Sequence, residues 1–269
     1  MEKIKVAILG ANGKMGRELV KTVHEDQELC LVGVIGKQLV GQDIGEVIGI
    51  GSIGVKISNN LAETLINTRP DVVVDFTFPG IVFENSKTIL NHGAHAVIGT
   101  TGLIEPQLKE LNELAKEKGV GIIVAPNFAL GAILMMKFAQ IAAKFLPHVE
   151  IIEYHHDGKL DSPSGTAIKT AQLIQEVRQS LPADKREFFE KVANARGADL
   201  EGVKLHSVRL PGMVAHQEVI FGGQGQFLTI RHDSINRESF MPGVALAIKK
   251  VIELEGLIYG LENIMNFDN

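Results

Sequence analysis

Short hydrophobic runs rich in β-branched residues alternate with amphipathic stretches through the first half of the chain. This alternation predicts a parallel sheet whose strands are joined by crossover helices. We expect strands over residues 4–9, 29–35, 71–77, 94–99 and 120–125. A helix is predicted over 14–24, where Met15, Leu19 and Val23 share one face, and another over 106–118, which has a proline in its first turn.

The pattern changes after Pro126. We expect a long apolar helix at 130–145, a strand at 150–154, a polar loop and a helix from about Thr166. Strand-like segments at 204–210, 217–221 and 227–232 are separated by glycine-rich turns, which predicts an antiparallel or mixed sheet in a second domain.

Three further segments carry weaker signals. The last segment, 241–258, is predicted to be helical and to return to the first domain. The stretch 41–54, with five glycines, is predicted to be a surface excursion without a regular element. The stretch 184–201 is interpreted as a solvated helix and loop without an assigned role.

Composition indicates an ordinary globular protein, with 45% hydrophobic and 22% charged residues among 269. The net charge of −5 provides no basic surplus for a phosphate backbone, so we expect no nucleic-acid partner. No run approaches the ~20 apolar residues of a membrane span, and the N-terminus lacks the apolar stretch of a signal peptide. Cys30 is the single cysteine. Together these features lead us to expect a cytoplasmic protein with no membrane association.

A glycine-rich turn, Gly10-Ala11-Asn12-Gly13-Lys14-Met15-Gly16, follows the first strand and opens a helix. A turn of this kind brings backbone N–H groups and a helix N-terminus up to a pyrophosphate. The spacing is G-x-x-G-x-x-G rather than G-x-G-x-x-G, and a strand-to-helix turn without a ligand is the alternative. The context favours nucleotide binding. The candidate contacts are Gly10, Ala11, Asn12, Gly13, Lys14 and Met15.

The end of the second strand bears on the choice of coenzyme. About 20 residues past the turn, dinucleotide-binding folds place an acid on the adenosine ribose. Here that position is Gly36, followed by Lys37. No carboxylate repels a 2′-phosphate and Lys37 is able to pair with one, so we expect NADPH to bind at least as well as NADH. A solvated lysine at a strand end is the alternative interpretation.

Three more segments follow predicted parallel strands, at the sheet edge where ligands bind in open α/β sheets. Asp75-Phe76-Thr77-Phe78-Pro79 follows one strand. The segment with Gly99, Thr100 and Thr101 offers hydroxyl and backbone groups to a carboxamide-bearing ring, although a plain connection between strand and helix would also explain it. Ala125, Pro126, Asn127 and Phe128 end the fifth strand, where a simple domain junction is the alternative.

The densest group of chemical side chains lies on the loop 153–166, with His155, His156 and Lys159. Ser164, Gly165 and Thr166 lead from this loop into a helix, so their N–H groups and hydroxyls suit an anion, and Lys159 adds positive charge. This combination favours a substrate carboxylate beside groups that exchange protons. The alternative interpretation is that the histidines are ordinary polar residues with their hydrogen bonds made inside the fold and that Lys159 is a surface charge. A metal site is disfavoured, because adjacent histidines on a strand point to opposite faces and no cysteine lies nearby.

With these motifs in place, the chain resembles the 4-hydroxy-tetrahydrodipicolinate reductase (dihydrodipicolinate reductase) family over almost its whole length. The segments that carry the resemblance are 6–10, 99–102, 125–128, 150–159, 161–166 and 240–243. The resemblance implies that His155 is the proton donor and acceptor, that Lys159 is a proton donor, and that His156, Gly165 and Thr166 contact substrate. It also implies coenzyme contacts by Gly10 through Met15, Lys37, Gly99 through Thr101, and Ala125 through Phe128. Gly36 departs from the many relatives that carry an acid there.

The same resemblance implies an α/β fold with an N-terminal Rossmann-type parallel-sheet domain and a second α+β domain with a mixed sheet. We expect residues 1–126 and 240–269 to bind the dinucleotide, and 127–239 to bind substrate and build a homotetramer. The implied reaction reduces a cyclic dicarboxylate of lysine biosynthesis with NADPH or NADH. Another nicotinamide-dependent dehydrogenase of a small amino or imino acid, or a non-catalytic dinucleotide sensor, would share the glycine-rich turn but has no need of the loop 153–166.

Overall fold

The short hydrophobic runs of the first 128 residues form strands, and the amphipathic stretches between them form helices, in a computed structural model that describes residues 2–180 and 189–267. The elements are β1 Ile4–Leu9, α1 Lys14–Glu25, β2 Leu29–Ile35, α2 Ile44–Ile48, β3 Ile57–Ser58, α3 Leu61–Thr68, β4 Val72–Asp75, α4 Pro79–Asn91, β5 His95–Ile98, α5 Glu105–Lys118 and β6 Gly121–Val124.

The remaining elements begin just after Phe128. They are α6 Leu130–Ala143, β7 His148–His155, α7 Gly165–Gln175, β8 Ala198–Leu200, β9 Val203–Arg209, β10 Ala215–Gly223, β11 Gln226–Ser234, a 3₁₀ turn Arg237–Phe240, α8 Met241–Val251, β12 Gly256–Tyr259 and a 3₁₀ turn Leu261–Ile264.

The chain divides into two compact units, Met1–Phe128 with Phe240–Asn269, and Ala129–Ser239. The first unit holds a seven-stranded sheet in the order β12-β6-β5-β4-β1-β2-β3, and its paired strands are parallel. Strand β4 is buried along its whole length, as expected for a parallel sheet covered on both faces. This architecture confirms the predicted Rossmann-type parallel sheet.

The second unit holds a five-stranded sheet in the order β11-β10-β7-β9-β8. Strand β7 is parallel to β9 and antiparallel to β10, so the sheet is mixed, as predicted. Burial alternates along β10, where Gln217, Val219 and Phe221 are buried. This alternation leaves one face of the sheet for α6 and α7 and the other face less covered.

The expectation of one helix over 241–258 is wrong beyond Val251. Helix α8 ends there, and Gly256, with φ of 83°, starts β12. The apolar residues that follow pair in parallel with β6, where Leu257 is opposite Ile122 and Ile258 is opposite Ile123. A short apolar run is ambiguous between helix and strand, and here the edge of the parallel sheet decides for the strand.

Two other expectations are also corrected. The stretch 41–54 does contain a regular element, the short helix α2, because the carboxylate of Asp43 accepts hydrogen bonds from the N–H groups of Gly45 and Glu46 and caps it. In the stretch 184–201, residues 184–188 lie outside the described residues. The remaining part, 189–201, forms turns and strand β8 instead of a helix. Among the described helices, none has the length and hydropathy needed to span a bilayer.

Candidate coenzyme and substrate sites

The glycine-rich turn lies between β1 and α1, and two of its glycines are required by geometry. Gly10 has φ of 80°, and a Cβ there would lie 2.5 Å from the carbonyl oxygen of Phe76. A Cβ on Gly16 would lie 2.2 Å from the carbonyl oxygen of Gly10, so only glycine lets α1 approach the turn this closely. Gly13 is the N-cap of α1 and provides no side-chain cap, which leaves the positive end of the helix available to an anion.

A cleft of about 450 Å³ adjoins this turn. It is lined by Gly10 and Gly13 of the turn, by Gly36 and Lys37 at the end of β2, and by Phe78 after β4. The Lys37 ammonium lies 5.0 Å from the centre of the Phe78 ring. Open backbone, a helix N-terminus and a lysine line one cleft, so these residues fit a dinucleotide with its pyrophosphate on α1.

Asn12 lies in the same turn, and its side chain is unusual. Both Oδ1 and Nδ2 are buried, and neither has a hydrogen-bond partner among the described residues. Ala11 is buried beside it, whereas Lys14 is exposed and Met15 partly exposed at the start of α1. The turn therefore brings together the six residues predicted for it, with one amide whose hydrogen bonds are unmade.

Asp75 organises the next part of the sheet edge, within the segment 75–79 that the sequence analysis placed there without a role for the carboxylate itself. The carboxylate is fully buried. Its oxygens accept hydrogen bonds from the hydroxyls of Thr77 at 2.6 Å and Thr100 at 2.8 Å, and from the Asn85 amide at 2.8 Å. All of these donors are neutral, and together they join the loops that follow β4 and β5.

The other predicted edge residues meet around aromatic rings. A Cβ on Gly99 would lie 2.1 Å from Cε1 of Phe76, so the Phe76 ring occupies the space beside Gly99. The same ring makes an edge-to-face contact with Phe128, with 5.8 Å between the ring centroids. Ala125 is buried, while Thr101 and Pro126 are exposed and Asn127 is partly exposed. The ends of β4, β5 and β6 thus lie together, as predicted for parallel strands.

Glu153 is the centre of the second cluster, which lies within the second unit. Its side chain is 1% exposed, on the covered face of β7. Arg209, at the end of the parallel strand β9, donates through both terminal nitrogens to the two carboxylate oxygens at 2.8 Å. The backbone N–H of Ser164 donates to the same carboxylate at 3.2 Å. One buried carboxylate therefore joins β7, β9 and the start of α7.

The imidazole of His155 completes this cluster. Its Nδ1 lies 2.5 Å from Oε2 of Glu153. Burial raises the pKa of Glu153, but hydrogen bonds from His155, Arg209 and Ser207 outweigh this effect and lower the pKa to about 2. Glu153 is therefore ionised and only accepts, so Nδ1 of His155 carries the proton of this bond and Nε2 is the nitrogen left for other partners.

Lys159 is held by a different acid. Its ammonium donates to both carboxylate oxygens of Asp161, at 2.7 and 2.8 Å. This hydrogen bond lowers the pKa of Asp161. The N–H of Lys159 also donates to the carbonyl of His156, which closes a turn just after β7. The two residues predicted for proton transfer, His155 and Lys159, are thus each paired with a carboxylate.

Helix α7 begins at the predicted serine, glycine and threonine. Ser164 is buried, and its hydroxyl accepts the N–H of Ala167 as the N-cap. The space beside Gly165 is open, since a Cβ there would meet nothing within 4 Å. The partial positive charge of the helix N-terminus falls on Gly165 and Thr166. The polar groups of Ser164 are therefore used in hydrogen bonds inside the fold, whereas Gly165 borders open space.

Sequence reasoning assigned no role to Glu153, Arg209, Asp161 or Asn85, and it placed Asp75 at the sheet edge without predicting what its carboxylate binds. Glu153 had a detectable signal, because it alternates with Ile151 on the buried side of β7, where an acid is costly without partners. Its partner Arg209 lies 56 residues away and becomes apparent only from strand pairing. Among residues 2–180 and 189–267, no group of three or more histidine, cysteine or acidic side chains is placed to hold a metal ion.

Comparison with family models matches both parts of the chain. The model described as "Dihydrodipicolinate reductase, N-terminus" matches residues 4–128. The model described as "Dihydrodipicolinate reductase, C-terminus" matches residues 131–265. The two matches meet close to the boundary between the two compact units.

Individual relatives agree with the family models. A 4-hydroxy-tetrahydrodipicolinate reductase of Listeria monocytogenes serotype 4b is 53% identical over 263 residues, covering 98% of this chain and all of the relative. One from Syntrophomonas wolfei is 52% identical over 264 residues, covering 98% of this chain and 99% of the relative. A dipicolinate-bound dihydrodipicolinate reductase from Paenisporosarcina sp. TG-14 superposes with a TM-score of 0.88 at 49% identity, covering 98% of this chain and all of that chain.

Proposed function

Because the chain belongs to the dihydrodipicolinate reductase family, we propose that it reduces 4-hydroxy-tetrahydrodipicolinate to tetrahydrodipicolinate, in the diaminopimelate route of lysine biosynthesis. The reaction consumes one NADPH or NADH and one proton and releases water and the oxidised coenzyme. The observation that carries the proposal is the buried Glu153, which holds His155, Arg209 and the start of α7 in one cluster. A dinucleotide sensor without catalysis has no need of such a cluster.

The first unit is proposed to bind the coenzyme. Gly10 to Met15 would hold the pyrophosphate at the N-terminus of α1, and Lys37 would pair with the 2′-phosphate of NADPH. Gly99 to Thr101 and Ala125 to Phe128 line the nicotinamide end, where Asp75 fixes the hydroxyl of Thr100. The coenzyme supplies the hydride, and these residues supply its position. NADPH is expected to bind at least as well as NADH.

The second unit is proposed to bind the cyclic dicarboxylate. Gly165 and Thr166 present the positive end of α7 to one carboxylate, and His156 and Lys159 lie on the preceding loop. A substrate carboxylate then competes with Asp161 for the Lys159 ammonium. The dipicolinate in the Paenisporosarcina structure is a dicarboxylate of the same kind, which supports this choice of ligand.

Proton transfer is assigned to His155 and Lys159. The ionised Glu153 fixes the Nδ1–H tautomer of His155, so Nε2 exchanges a proton with the substrate. Lys159 is the proposed donor of the one proton that the reduction consumes, and its ammonium would also pair with a substrate carboxylate. Ser164 acts indirectly in this scheme, because its hydroxyl and N–H are used inside the fold.

Coenzyme oxidation by the purified protein tests this proposal, with substrate generated in situ by the preceding synthase from pyruvate and aspartate semialdehyde. We expect turnover with NADPH and with NADH, and a 10²- to 10⁴-fold lower kcat for His155→Gln and Lys159→Ala. His148→Gln and Lys144→Ala, exposed residues of the same unit, serve as matched controls. Absence of turnover by folded protein that binds coenzyme would refute the reaction, and near-normal kcat in both variants would refute the assigned roles.

The assembly and location are also part of the proposal. We propose a homotetramer built by the second unit, because β11 is a nine-residue edge strand with Phe227 and Leu228 exposed. We propose that the enzyme works in the cytoplasm, where its biosynthetic substrate and the reduced nicotinamide coenzymes are found.

A further inference from the structure

We infer that Asn12 and Gly36 act as a pair that sets the coenzyme specificity of this protein, with the Asn12 amide in the place that an acidic side chain at position 36 would occupy. The inference rests on the proposed function, because it concerns the adenosine end of the same coenzyme site. It adds a residue that determines which coenzyme is bound. It also explains why glycine stands at the end of β2.

The Asn12 amide occupies the space that a side chain at position 36 would need. A Cβ on residue 36 would lie 1.6 Å from Oδ1 and 2.8 Å from Cγ of Asn12. A side chain at position 36 and the present position of the Asn12 amide therefore exclude each other. Asn12 belongs to the turn between β1 and α1, whereas Gly36 follows β2, so the two neighbouring strands bring the pair together. Both residues line the cleft beside the glycine-rich turn.

The Asn12 amide has unused hydrogen-bonding capacity. Within the described part of the chain, neither Oδ1 nor Nδ2 has a partner, although both atoms are buried. A buried amide without partners is costly, so a side-chain rotation that brings it to a ligand with donors and acceptors is favoured. Ribose hydroxyls and a 2′-phosphate oxygen both supply such partners at this end of a dinucleotide.

The absence of a charge on this pair determines how the site discriminates between NADPH and NADH. A carboxylate at this position accepts hydrogen bonds from the ribose hydroxyls and repels a 2′-phosphate. The amide of Asn12 is neutral and donates as well as accepts, so it tolerates either group. Lys37, next to Gly36 in the same cleft, adds attraction for the phosphate. The pair thus permits NADPH without excluding NADH.

Binding of each coenzyme in the absence of substrate tests the inference. We would measure the Kd of NADPH and NADH by nicotinamide fluorescence for the wild type, Asn12→Gly, Gly36→Asp and the double variant. Asn59→Gly combined with Gly36→Asp is the matched control, because Asn59 lines the same cleft but provides none of the three atoms nearest to a Cβ at Gly36. Thermal unfolding of each variant establishes that it is folded. Lys37 is unchanged throughout.

Asn12→Gly is expected to raise the Kd of both coenzymes about tenfold, because it removes the hydrogen-bonding group. Gly36→Asp puts a second side chain into the space that the Asn12 amide occupies, so neither side chain takes a productive position and the Kd of both coenzymes should rise. The double variant makes room for the new carboxylate, so the Kd of NADH should return to within about threefold of wild type while NADPH stays at least about thirtyfold weaker. The control double variant should not recover NADH.

Two results would overturn the inference while the proposed function stands. One is an Asn12→Gly variant whose Kd values for both coenzymes match those of wild type. The other is a double variant that recovers no more NADH binding than Gly36→Asp alone. A folded wild-type protein that binds neither coenzyme would refute the proposed function itself, and the inference with it.

Discussion

Glu153 shows how a single buried charge links folding to the candidate substrate site. Its carboxylate has a bidentate partner in Arg209, an imidazole partner in His155 and a backbone donor in Ser164. Removal of one member of a buried ion pair leaves the other charge without compensation, which is far more costly than loss of an exposed pair. The stability of the second unit and the orientation of His155 therefore depend on the same residue.

Glu153→Gln is expected to lower the free energy of unfolding by roughly 3 kcal/mol at neutral pH, because the pKa of Glu153 falls from 4.5 to about 2 on folding. This stabilisation is present above about pH 4.5 and is lost as the pH falls toward 2. Denaturant unfolding between pH 7 and pH 2.5 should show the wild type and the variant converging at the acidic end. The kcat should fall at least tenfold, since the tautomer of His155 is no longer fixed.

The matched control for this variant is Glu113→Gln. Glu113 is 75% exposed and pairs with Lys116 one turn away on α5. Its substitution should change the stability by less than about 0.5 kcal/mol at either pH. A Glu153→Gln protein as stable as wild type at pH 7, or a stability difference that persists unchanged at pH 2.5, would contradict the role given to the carboxylate.

The residues of the candidate site were predictable where reactive side chains lie close together in the sequence. His155, His156, Lys159 and Gly165 lie on one loop, and the structure keeps them within one turn and one helix start. Glu153 and Arg209 were not predicted as partners, because their contact depends on the parallel pairing of β7 with β9 across 56 residues. The pairing of Asn12 with Gly36 depends in the same way on neighbouring strands.

At the scale of elements, the approach of α1 to β1 sets the coenzyme turn. Gly16→Ala would place a Cβ 2.2 Å from the carbonyl oxygen of Gly10, so α1 must move away from the strand. We expect a Tm lower by at least about 10 °C, or a Kd for NADPH at least about a hundredfold higher, because the N–H groups of α1 no longer reach the pyrophosphate. Thermal unfolding and fluorescence titration measure these effects.

Gly13→Ala is the matched control for that prediction. Gly13 has φ of −73°, which any residue adopts, and a Cβ there would lie 3.1 Å from the same carbonyl oxygen. A small adjustment accommodates the methyl group, so the Tm should change by no more than about 3 °C. Equal effects of the two substitutions would show that close packing of α1 at Gly16 is not what shapes the turn.

The elements also show where hydrophobic pattern suffices and where it fails. Strands β1 and β2 have the predicted bounds, because each mostly apolar run begins after a charged residue and ends before a glycine. The end of the chain was misjudged, since residues 256–259 are compatible with helix and strand alike until the exposed edge of β6 is known. Helix α2 depends on one capping aspartate, Asp43, in a glycine-rich stretch.

At the scale of the whole molecule, the edge of the second sheet is the surface on which the proposed assembly depends. Strand β11 pairs only with β10 among the described strands, and Phe227 is 78% exposed on it. Strand edges of this length are protected in soluble proteins by charge, bulges or cover. In the proposed homotetramer, a second copy of the chain provides that cover.

The double variant Phe227→Asp with Leu228→Asp is therefore expected to dissociate the homotetramer, because it places charges on the edge strand that would face the partner. Light scattering coupled to size-exclusion chromatography should show a mass near that of one or two chains, with wild-type coenzyme affinity in the first unit. Ile66→Asp, which alters an exposed side chain on α3, should leave the wild-type mass unchanged. A wild-type protein of one-chain mass, or a tetramer that survives both aspartates, would place the assembly surface elsewhere.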